Sequence, residues 1–573
     1  MDFIISGGNK NANIALEEKQ DGDILYLTVK MDMETPQIPE KFCIFWKFKD
    51  IDCYSVWNQT LRQRRSLNPA WGKKKNHSRL AAGMPLQQLI SLNGKNRLSI
   101  AVADCATPIS IATGVYEEDA CIDCEVEFFT IPTTPISSYS TVIKLDMRDI
   151  PYYDSLYDTA EWWEKDCGYE PAYVPEAAKL PMNSLWYSYH QQLDPENIIK
   201  ECRWSKPLGM ETVIIDDGWQ TDDNNRGYAY CGDWKVAENK MGDMKELVSR
   251  IHVEGMKIIL WFSVPFVGIH SKAYEEFKDM LLDKPGDNND TFCLDPRYKK
   301  VRDYLIGIYT KAVAEWGLDG LKLDFIDSFN LWGQSLEADP RRDYTSLEEA
   351  MDVLLTEIKN ALTALNPEIL IEFRYPYIGP SVRKYGNMLR VADCPNDAIL
   401  NRQDIVNLRF TCGKTAVHSD MIMWNPEDYV ESAALQFAHI LYSVPQISMR
   451  AVSLPEDHYK MLKHYISFWL EWREVLLDGK LTAKNPESEY SQVCSVLEDK
   501  AVFTVYTDRI VELETGEAVI VNAAGTETLI IKNAAGKKYH TVNCMGENLA
   551  CGTLNALLEE IEVPMAGMIF IEL

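Results

Sequence analysis

The chain has 573 residues, enough for about two to four domains, and its 86 acidic and 58 basic side chains give a formal net charge of −28. Because nucleic-acid binding needs clustered cations along a phosphate backbone, this charge predicts no nucleic-acid partner. No apolar run reaches the about 20 residues of a membrane span, and Met1 to Gly8 lack the basic and apolar regions of a secretion signal, so we expect no membrane partner.

Residues 1–175 are predicted to form an N-terminal β-sandwich domain. Apolar runs separated by turn residues indicate strands at Ile24–Val29, Phe42–Trp46, Leu98–Val102 and Val126–Thr130. A basic stretch from Arg62 to Lys75 interrupts them. It is either a solvated loop or an interface or substrate-rim loop with Trp57 and Trp71. Three prolines from Glu170 to Pro181 then mark a linker.

Residues 176–480 alternate strand-like runs with helical stretches. The strand candidates are Leu185–Ser188, Thr212–Asp216, Lys257–Phe262, Gly320–Phe325, Ile369–Phe373, Met388–Asp393, Thr415–His418 and Gln446–Met449. Helices are predicted at Tyr298–Trp316, which Gly317 would cap, at Ser346–Leu365 and at Asp457–Trp472. Eight such units without a Gly-rich dinucleotide fingerprint favour a (β/α)₈ TIM barrel over a doubly wound sheet.

Residues 481–573 return to short strand-like runs, at Ala501–Tyr506, Ala518–Val521, Thr528–Ile531 and Met568–Ile571. They predict a small C-terminal β-sandwich. The fold class is therefore α/β, with a central (β/α)₈ barrel between two β-sandwich domains. With 14 dispersed cysteines and no export signal, the simplest interpretation is a cytoplasmic chain with reduced thiols.

Carboxylates follow three of the predicted barrel strands: Asp216 and Asp217, Asp324, and Asp393. The carboxyl ends of barrel strands converge on one mouth, where catalytic groups come from different strands. A single Asp in that position is better explained as a helix cap or a turn residue, but three sets on different strands favour a functional site. Paired carboxylates hydrolyse glycosides: one attacks the anomeric carbon, and the other protonates the leaving oxygen.

Four tryptophans, Trp186, Trp219, Trp234 and Trp261, lie near the same strand ends. Each either stacks on the apolar face of a sugar or packs in the barrel core or a lid. The nine histidines show no metal-binding spacing, and the chain has no P-loop and no GxSxG elbow. We therefore expect no metal and no organic cofactor.

Three motifs together resemble glycoside hydrolase family 36, of the α-galactosidase-like clan that it shares with family 27. Ile215–Gln220, followed by Gly232–Trp234, resembles its second-strand signature. Leu321–Asp324 resembles the fourth-strand Lys-x-Asp nucleophile motif, and Ala392–Asp397, followed by Arg402, resembles the sixth-strand acid/base motif. The motifs keep the family's order and spacing, and the resemblance covers about residues 180–475.

The resemblance implies a role for each matching residue. Asp324 would be the nucleophile, and Asp393 would be the general acid and then the general base. Asp216 and Asp217 would bind the 4- and 6-hydroxyls of galactose, and Lys322 would bind neighbouring hydroxyls. Trp186 and Trp261 would wall the sugar subsite, with Trp219 as a further substrate-binding candidate.

Some assignments have alternatives. Arg374 or Arg390 would contact the sugar or steady a carboxylate. Asp327 competes with Asp324 for the role of nucleophile. Asp397 competes with Asp393 for the role of acid, or else binds substrate.

The sequence departs from the family's pattern after two strands. Trp261–Pro265 replaces the usual Trp-x-Glu-Pro-Glu, and Glu372–Tyr377 replaces a Cys and Gly-rich loop that in the family helps to recognise the 2-substituent. The resemblance implies a retaining α-galactosidase acting on small α-galactosides, and possible homo-oligomers. The alternatives are an α-N-acetylgalactosaminidase, a galactosyl-transferring enzyme of the same clan, or a carbohydrate-binding protein without catalysis.

Overall fold

The computed structural model describes residues 1–62, 65–282, 290–331, 339–514 and 516–572. Gln63 and Arg64, in the predicted basic loop, lie outside the described residues. Among the residues described, no helix combines the length and the apolar composition needed to cross a membrane.

The N-terminal region is a sandwich of two antiparallel sheets. One sheet runs in the order Ile4–Gly7, Phe42–Lys49, Cys121–Phe128, Ile109–Tyr116 and Asn76–Ser78. The other runs in the order Asn13–Asp21, Ile24–Gln37, Ile136–Asp146, Asn96–Val102, Leu86–Ile90 and Ser55–Trp57. Alternate side chains such as Leu27 and Val29 point inward and share one core with Ile44 and Trp46 of the facing sheet. Helix Tyr152–Lys165 follows the sandwich.

The central region is a barrel of eight parallel strands. In chain order they are Met182–Ser184, Thr212–Ile215, Lys257–Ser263, Gly320–Asp324, Leu370–Arg374, Met388–Arg390, Ala416–His418 and Gln446–Ile447. The first seven strands pair consecutively along the chain, and the eighth pairs with the first. The gap between the seventh and eighth strands is bridged by residues beside them, because the Val444 amide donates to Val417 O at 2.8 Å and the Ile422 amide donates to Gln446 O at 2.9 Å, so the ring is nearly closed.

Helices surround the barrel. The long ones are Pro195–Ser205, Met244–Val253, Lys299–Trp316, Leu347–Leu365, Ala398–Arg409, Val430–Ile440 and Glu456–Glu471. Shorter ones are Trp186–Tyr189, Glu238–Met241, Lys272–Phe277 and Arg473–Asp478, and the hairpin Phe266–Gly268 with Thr291–Cys293 follows the third strand. The three helices predicted from the sequence are confirmed to within one residue at each end. Gly317 ends one in the left-handed conformation, and the Ser346 side chain caps another.

The first barrel strand differs from the prediction. The strand is Met182–Ser184, and the predicted run from Leu185 continues into the short helix Trp186–Tyr189. The strand is hard to recognise because two of its three residues are polar. Asn183 is nevertheless buried, since its amide donates to Ser205 Oγ at 2.7 Å.

The C-terminal region is a second β-sandwich. Its larger sheet runs in the order Lys480–Lys484, Gln492–Leu497, Lys500–Val505, Glu517–Asn522, Met568–Glu572, Lys538–Val542 and Asn548–Thr553. The smaller sheet contains Ile510–Glu512, Thr528–Lys532 and Leu558–Glu562, and the two share an apolar core. The predicted fold class is thus confirmed, while the domain boundaries at residues 175 and 480 stay predictions.

Candidate active site

The predicted carboxylates lie at the carboxyl ends of three barrel strands. Asp216 and Asp217 directly follow the second strand, and Asp324 is the last residue of the fourth. The sixth strand ends at Arg390, so Asp393 stands on the loop that follows it rather than on the strand. All four therefore belong to the mouth of the barrel.

Asp324 is buried and contacted through both of its oxygens. Oδ1 accepts from the Phe325 amide at 2.8 Å and from the Tyr377 hydroxyl, and Arg374 Nε lies 2.8 Å from it. Oδ2 accepts from Trp261 Nε1 at 3.0 Å. Phe325 has φ of 63°, a left-handed conformation uncommon for an aromatic residue, and its amide also donates to Tyr377 Oη at 3.0 Å.

These contacts set the charge of Asp324. Burial alone would raise its pKa, but the charges of Arg374 and Lys322, with the hydrogen bonds from Tyr377 and Trp261, outweigh burial and hold the pKa below the ordinary value. The carboxylate is therefore ionised at neutral pH, which is the state that a nucleophile requires.

Asp216 and Asp217 form the tight turn after the second strand. Lys322 Nζ donates to Asp216 Oδ2 at 2.6 Å, and both side chains are buried. Asp217 accepts from the amides of Gln191 and Gln220, each at 2.6 Å, while burial raises its pKa to about 6. Gly218 allows this turn, because its φ is 114° and a Cβ there would lie 2.6 Å from Gln191 Cα.

Asp393 faces a buried arginine. Arg390 Nη2 donates to Asp393 Oδ1 at 2.7 Å, and Nη1 donates to Asp420 Oδ1 at 2.6 Å. The Asp393 side chain is 49% exposed, whereas Arg390 and Asp420 are fully buried. Partial burial would raise the pKa of Asp393, but Arg390, Arg374 and Lys322 bring it below the ordinary value.

Asp420 is a site residue that the sequence analysis missed. It follows the seventh strand by two residues, as the other carboxylates follow theirs. Its Oδ2 accepts from the Cys394 amide at 2.7 Å and from the Tyr187 hydroxyl at 2.9 Å. Asp420 thus fixes Arg390 from one side and the Asp393 loop from the other. The same spacing from a strand end was the signal that could have identified it.

The two competing carboxylates have structural contacts. Asp397 is exposed and caps helix Ala398–Arg409, accepting from the Leu400 amide at 3.0 Å, which is the helix-cap alternative for an Asp in this position. Asp327 lies in the turn after the fourth strand, and its main-chain oxygen accepts from Arg79 of the N-terminal sandwich. Burial raises the pKa of the Asp327 carboxyl even though Arg374 also acts on it, whereas Arg374 and Lys322 help to hold the pKa values of Asp324 and Asp393 below the ordinary value.

The tryptophans separate into different environments. Trp219 is fully buried, its Nε1 donates to the main-chain oxygen of Trp261 at 2.9 Å, and its ring packs against Trp234 and Trp316. This packing is that of the barrel-core alternative for Trp219, and its substrate-binding role stays a prediction. Trp261 is also buried, and its indole holds Asp324. Trp186 is partly exposed on its short helix.

Tyr228 is a second residue that the sequence analysis missed. It lies on the long loop after the second strand, with its ring 6.1 Å from Trp261 and 5.2 Å from Phe325. Burial and the charges of Asp324, Asp217 and Asp216 raise the pKa of its hydroxyl. A partly exposed aromatic ring thus borders these carboxylates, and no motif in the sequence singled it out.

The N-terminal sandwich supports the loops at the mouth of the barrel. Arg79 donates to the main-chain oxygens of Asp327 and Phe329 after the fourth strand, and the Gly83 amide donates to Pro376 O at 2.9 Å after the fifth. Arg62 Nε donates to Asp404 Oδ1 at 3.1 Å.

Two parts of the predicted basic loop therefore have different surroundings, one at an interface with the barrel and the other in solvent. The guanidinium of Arg62 lies 4.0 Å from the ring centre of Tyr375, at an interface with the barrel. Trp57 is buried at the same interface, where its indole donates to Asn407 and Tyr490. Trp71, in contrast, is 82% exposed.

Within the described ranges of the chain, no group of three or more His, Cys, Asp or Glu side chains is placed to hold a metal ion. The groups that converge on the mouth are carboxylates, cations and aromatic rings. Such an arrangement can hold a neutral polyhydroxylated ligand and exchange a proton and a covalent bond with it.

A (β/α)₈ barrel with paired carboxylates at its mouth is the architecture of the barrel glycoside hydrolases. The Melibiase family model matches residues 175–375. That segment is similar to the Melibiase family, and the resemblance of the chain to glycoside hydrolase family 36 is confirmed.

Curated relatives include the bifunctional α-galactosidase/sucrose kinase AgaSK of Mediterraneibacter gnavus, 28% identical over 160 residues, or 26% of this chain and 17% of that protein. The α-galactosidase Mel36A of Lactobacillus acidophilus is 29% identical over 178 residues, or 29% of this chain and 23% of that protein. The aligned segments thus span less than a quarter of these relatives.

Solved structures share the fold over almost the whole chain. A variant of the family 36 α-galactosidase AgaA from Geobacillus stearothermophilus, in complex with 1-deoxygalactonojirimycin, superposes with a TM-score of 0.68. The match has 15% identity and covers 98% of this chain and 81% of that one. The galactosidase domain of AgaSK superposes with a TM-score of 0.65 at 14% identity, covering 100% of this chain and 86% of that domain.

Proposed function

We propose that this protein is a retaining α-galactosidase, a glycoside hydrolase that removes terminal α-galactosyl residues from oligosaccharides by double displacement. The names of AgaSK and Mel36A, two of its matched relatives, include α-galactosidase, and variants of AgaA have been solved in complex with raffinose and with stachyose. The proposal rests chiefly on Asp324, a buried carboxylate kept ionised by Arg374 and Lys322 at a barrel strand end.

Asp393 is the proposed proton donor and acceptor. Arg390 favours the ionised form of Asp393, so the acid form must be produced when substrate binds. Half of the Asp393 side chain is open to solvent, and a bound glycoside covers it, which raises its pKa by desolvation. Once Asp324 has become a neutral ester, the repulsion between the two carboxylates disappears, and Asp393 can act as a base.

Asp216, Asp217 and Lys322 are the proposed sugar-hydroxyl contacts. The Lys322–Asp216 pair brings together a donor on the fourth strand and an acceptor that follows the second strand. Asp217 is held by Gln191 and Gln220, so its orientation is fixed before a sugar arrives. Partly exposed Trp186 is the aromatic residue that we place against the sugar ring.

We also propose a cytoplasmic location, because the described part of the chain contains no disulfide bond among its cysteines, as expected in a reducing compartment. Homo-oligomer formation stays a prediction.

Hydrolysis of an aryl α-galactoside followed by proton NMR tests activity and stereochemistry together. The first sugar product should be the α-anomer. Asp324→Ala should abolish turnover while the fold survives, and azide should yield β-galactosyl azide. Asp393→Ala should lose more activity on poor leaving groups than on activated aryl galactosides. A β-anomer as the first product, or wild-type turnover by Asp324→Ala, would contradict the proposal.

A second candidate function is that of an α-N-acetylgalactosaminidase. One curated relative, 24% identical over 200 residues, is the A type blood α-D-galactosamine galactosaminidase of Flavonifractor plautii. In this chain the fifth strand ends at Arg374, and the loop that follows it carries Tyr377. Aryl α-galactoside and aryl α-N-acetylgalactosaminide assayed side by side separate the two functions by the ratio of kcat/KM.

A further inference from the structure

The two oxygens of Asp324 have unequal surroundings. Three groups surround Oδ1: the Phe325 amide, Arg374 Nε and the Tyr377 hydroxyl. Among the residues that the structure describes, Oδ2 has one hydrogen-bond donor, Trp261 Nε1. Since a carboxylate oxygen offers about two lone pairs, those of Oδ1 are used and one on Oδ2 is open.

We propose that Oδ2 of Asp324 is the attacking oxygen, and that Arg374 and Tyr377 act on Oδ1 to make Asp324 a good leaving group when the glycosyl ester is hydrolysed. The inference rests on the proposed retaining mechanism and assigns roles that the family motifs do not. Both residues come from Glu372–Tyr377, the segment in which the sequence departs from the family's pattern.

The bond changes follow from this geometry. In the first step Oδ2 forms a bond to the anomeric carbon, the bond to the leaving oxygen breaks, and Asp393 supplies its proton. Oδ1 is then the carbonyl oxygen of the ester. In the second step a water oxygen bonds to the anomeric carbon while its proton passes to Asp393. The bond to Oδ2 breaks, and its electron pair returns to the carboxylate, where Arg374 and Tyr377 stabilise the charge on Oδ1.

Arg374 and Tyr377 are held in position before the reaction begins. The Arg374 guanidinium lies 5.0 Å from the ring centre of Phe325 and 5.6 Å from that of Tyr377, and Nη1 donates to Tyr375 O at 2.8 Å. Its side chain is 17% exposed. Tyr377 is fully buried, and its hydroxyl accepts from the Phe325 amide, so its own proton points to Asp324.

The expected signature is a change in one step only. An aryl α-galactoside with a good leaving group makes ester formation fast, so ester hydrolysis limits kcat. Tyr377→Phe removes a hydrogen bond to a charged group, and we expect kcat to fall by about 10- to 100-fold. KM should fall in parallel and kcat/KM should change less than about threefold, because that ratio reports ester formation.

The measurement combines steady-state and rapid-quench kinetics. Tyr377→Phe and Arg374→Met should show a burst of aryl alcohol close to one equivalent per site, and the mass of the quenched protein should increase by one galactosyl group. Tyr375→Phe is the matched control: it lies in the same segment, its ring packs under Arg62, and it should behave as wild type. Circular dichroism reports whether each variant is folded.

Two results overturn the inference. If wild type turns over with retention but folded Tyr377→Phe loses kcat/KM as much as kcat, without a burst, then Oδ1 has no leaving-group role and the proposed function stands. If wild type forms no α-anomer from any aryl α-glycoside, the proposed function fails, and the inference fails with it.

Discussion

Arg62 of the N-terminal sandwich and Asp404 of the barrel form an ion pair whose strength depends on pH. The guanidinium contacts both carboxylate oxygens, with Nε 3.1 Å from Oδ1 and Nη2 3.0 Å from Oδ2. Burial raises the pKa of Asp404 to about 6, even with Arg62 beside it. Asp404 is therefore mainly ionised in the folded protein at about pH 7.5 and mainly protonated at about pH 5.

Arg62→Met should cost stability mainly at the higher pH. Asp404 is 3% exposed, and breaking a buried pair by removing one partner costs about 3–5 kcal/mol. Because 25% of the Arg62 side chain is exposed to water, we expect Arg62→Met to lower the free energy of unfolding by about 2–3 kcal/mol at about pH 7.5. At about pH 5 the neutral carboxyl needs no counter-ion, and the cost should drop below about 1 kcal/mol.

The direction of the pH dependence follows from the pKa. The folded-state pKa of Asp404 lies above its ordinary value of 3.8, so the contribution of this group favours folding at low pH. That contribution is lost as the pH rises through about 6. In Arg62→Met the pKa of Asp404 rises further, which extends the loss of stability to higher pH.

Thermal unfolding midpoints of wild type, Arg62→Met, Asp404→Asn and the double variant at about pH 5 and 7.5 test the reasoning. In the double variant the pH-dependent part of the Arg62→Met penalty should disappear. The kcat/KM for an aryl α-galactoside at neutral pH should fall in Arg62→Met, because Arg62 also packs on Tyr375 beside Arg374. An equal loss at both pH values, or a double variant that keeps the whole pH-dependent penalty, would refute the argument.

Three further predictions concern the mouth of the barrel. Asp217→Asn should raise the unfolding midpoint more at about pH 8 than at about pH 5. Burial raises the pKa of Asp217 to about 6, so its ionisation disfavours folding above that pH. An increase in the midpoint that is independent of pH would contradict this. Gly218→Ala should destabilise the protein by about 1–3 kcal/mol and lower kcat/KM. The φ of Gly218 is 114°, and the new Cβ would lie 2.6 Å from Gln191 Cα. An unchanged unfolding midpoint would contradict this prediction. Trp219→Phe should lower the unfolding midpoint and leave KM unchanged, because Trp219 is buried. Trp186→Ala should raise KM with little change in the midpoint, because Trp186 is partly exposed on its short helix. A raised KM for Trp219→Phe and an unchanged KM for Trp186→Ala would reverse the two roles.

The sequence was sufficient for the barrel and for the carboxylates at its mouth. Seven of the eight strands were recognised from the apolar residues that a buried parallel sheet requires, and the carboxylates predicted from the sequence lie at the ends of three of them or within a few residues. The first strand, Met182–Ser184, escaped because its polar residues are buried through hydrogen bonds with residues distant in the chain.

Side-chain partners across long sequence separations were not accessible from the sequence. Nothing in the sequence indicates that the hydroxyl of Tyr377 meets Asp324, 53 residues earlier, or that Asp420 holds Arg390, 30 residues earlier. Tyr228 was equally hidden, since a single aromatic residue in a loop carries no periodic signal. The burial of Trp219 is likewise decided by the loop and helix that cover it.

The contacts of Arg62, Arg79 and Gly83 with the barrel bear on any attempt to engineer a smaller catalyst. Each supports a different stretch of chain around the mouth, and all three come from the sandwich that precedes the barrel. A fragment starting at residue 176 would keep every reacting group. It would lose the contacts from Arg62, Arg79 and Gly83 that support the segments around those groups. A chimeric protein that carries this barrel should therefore include the N-terminal sandwich as well.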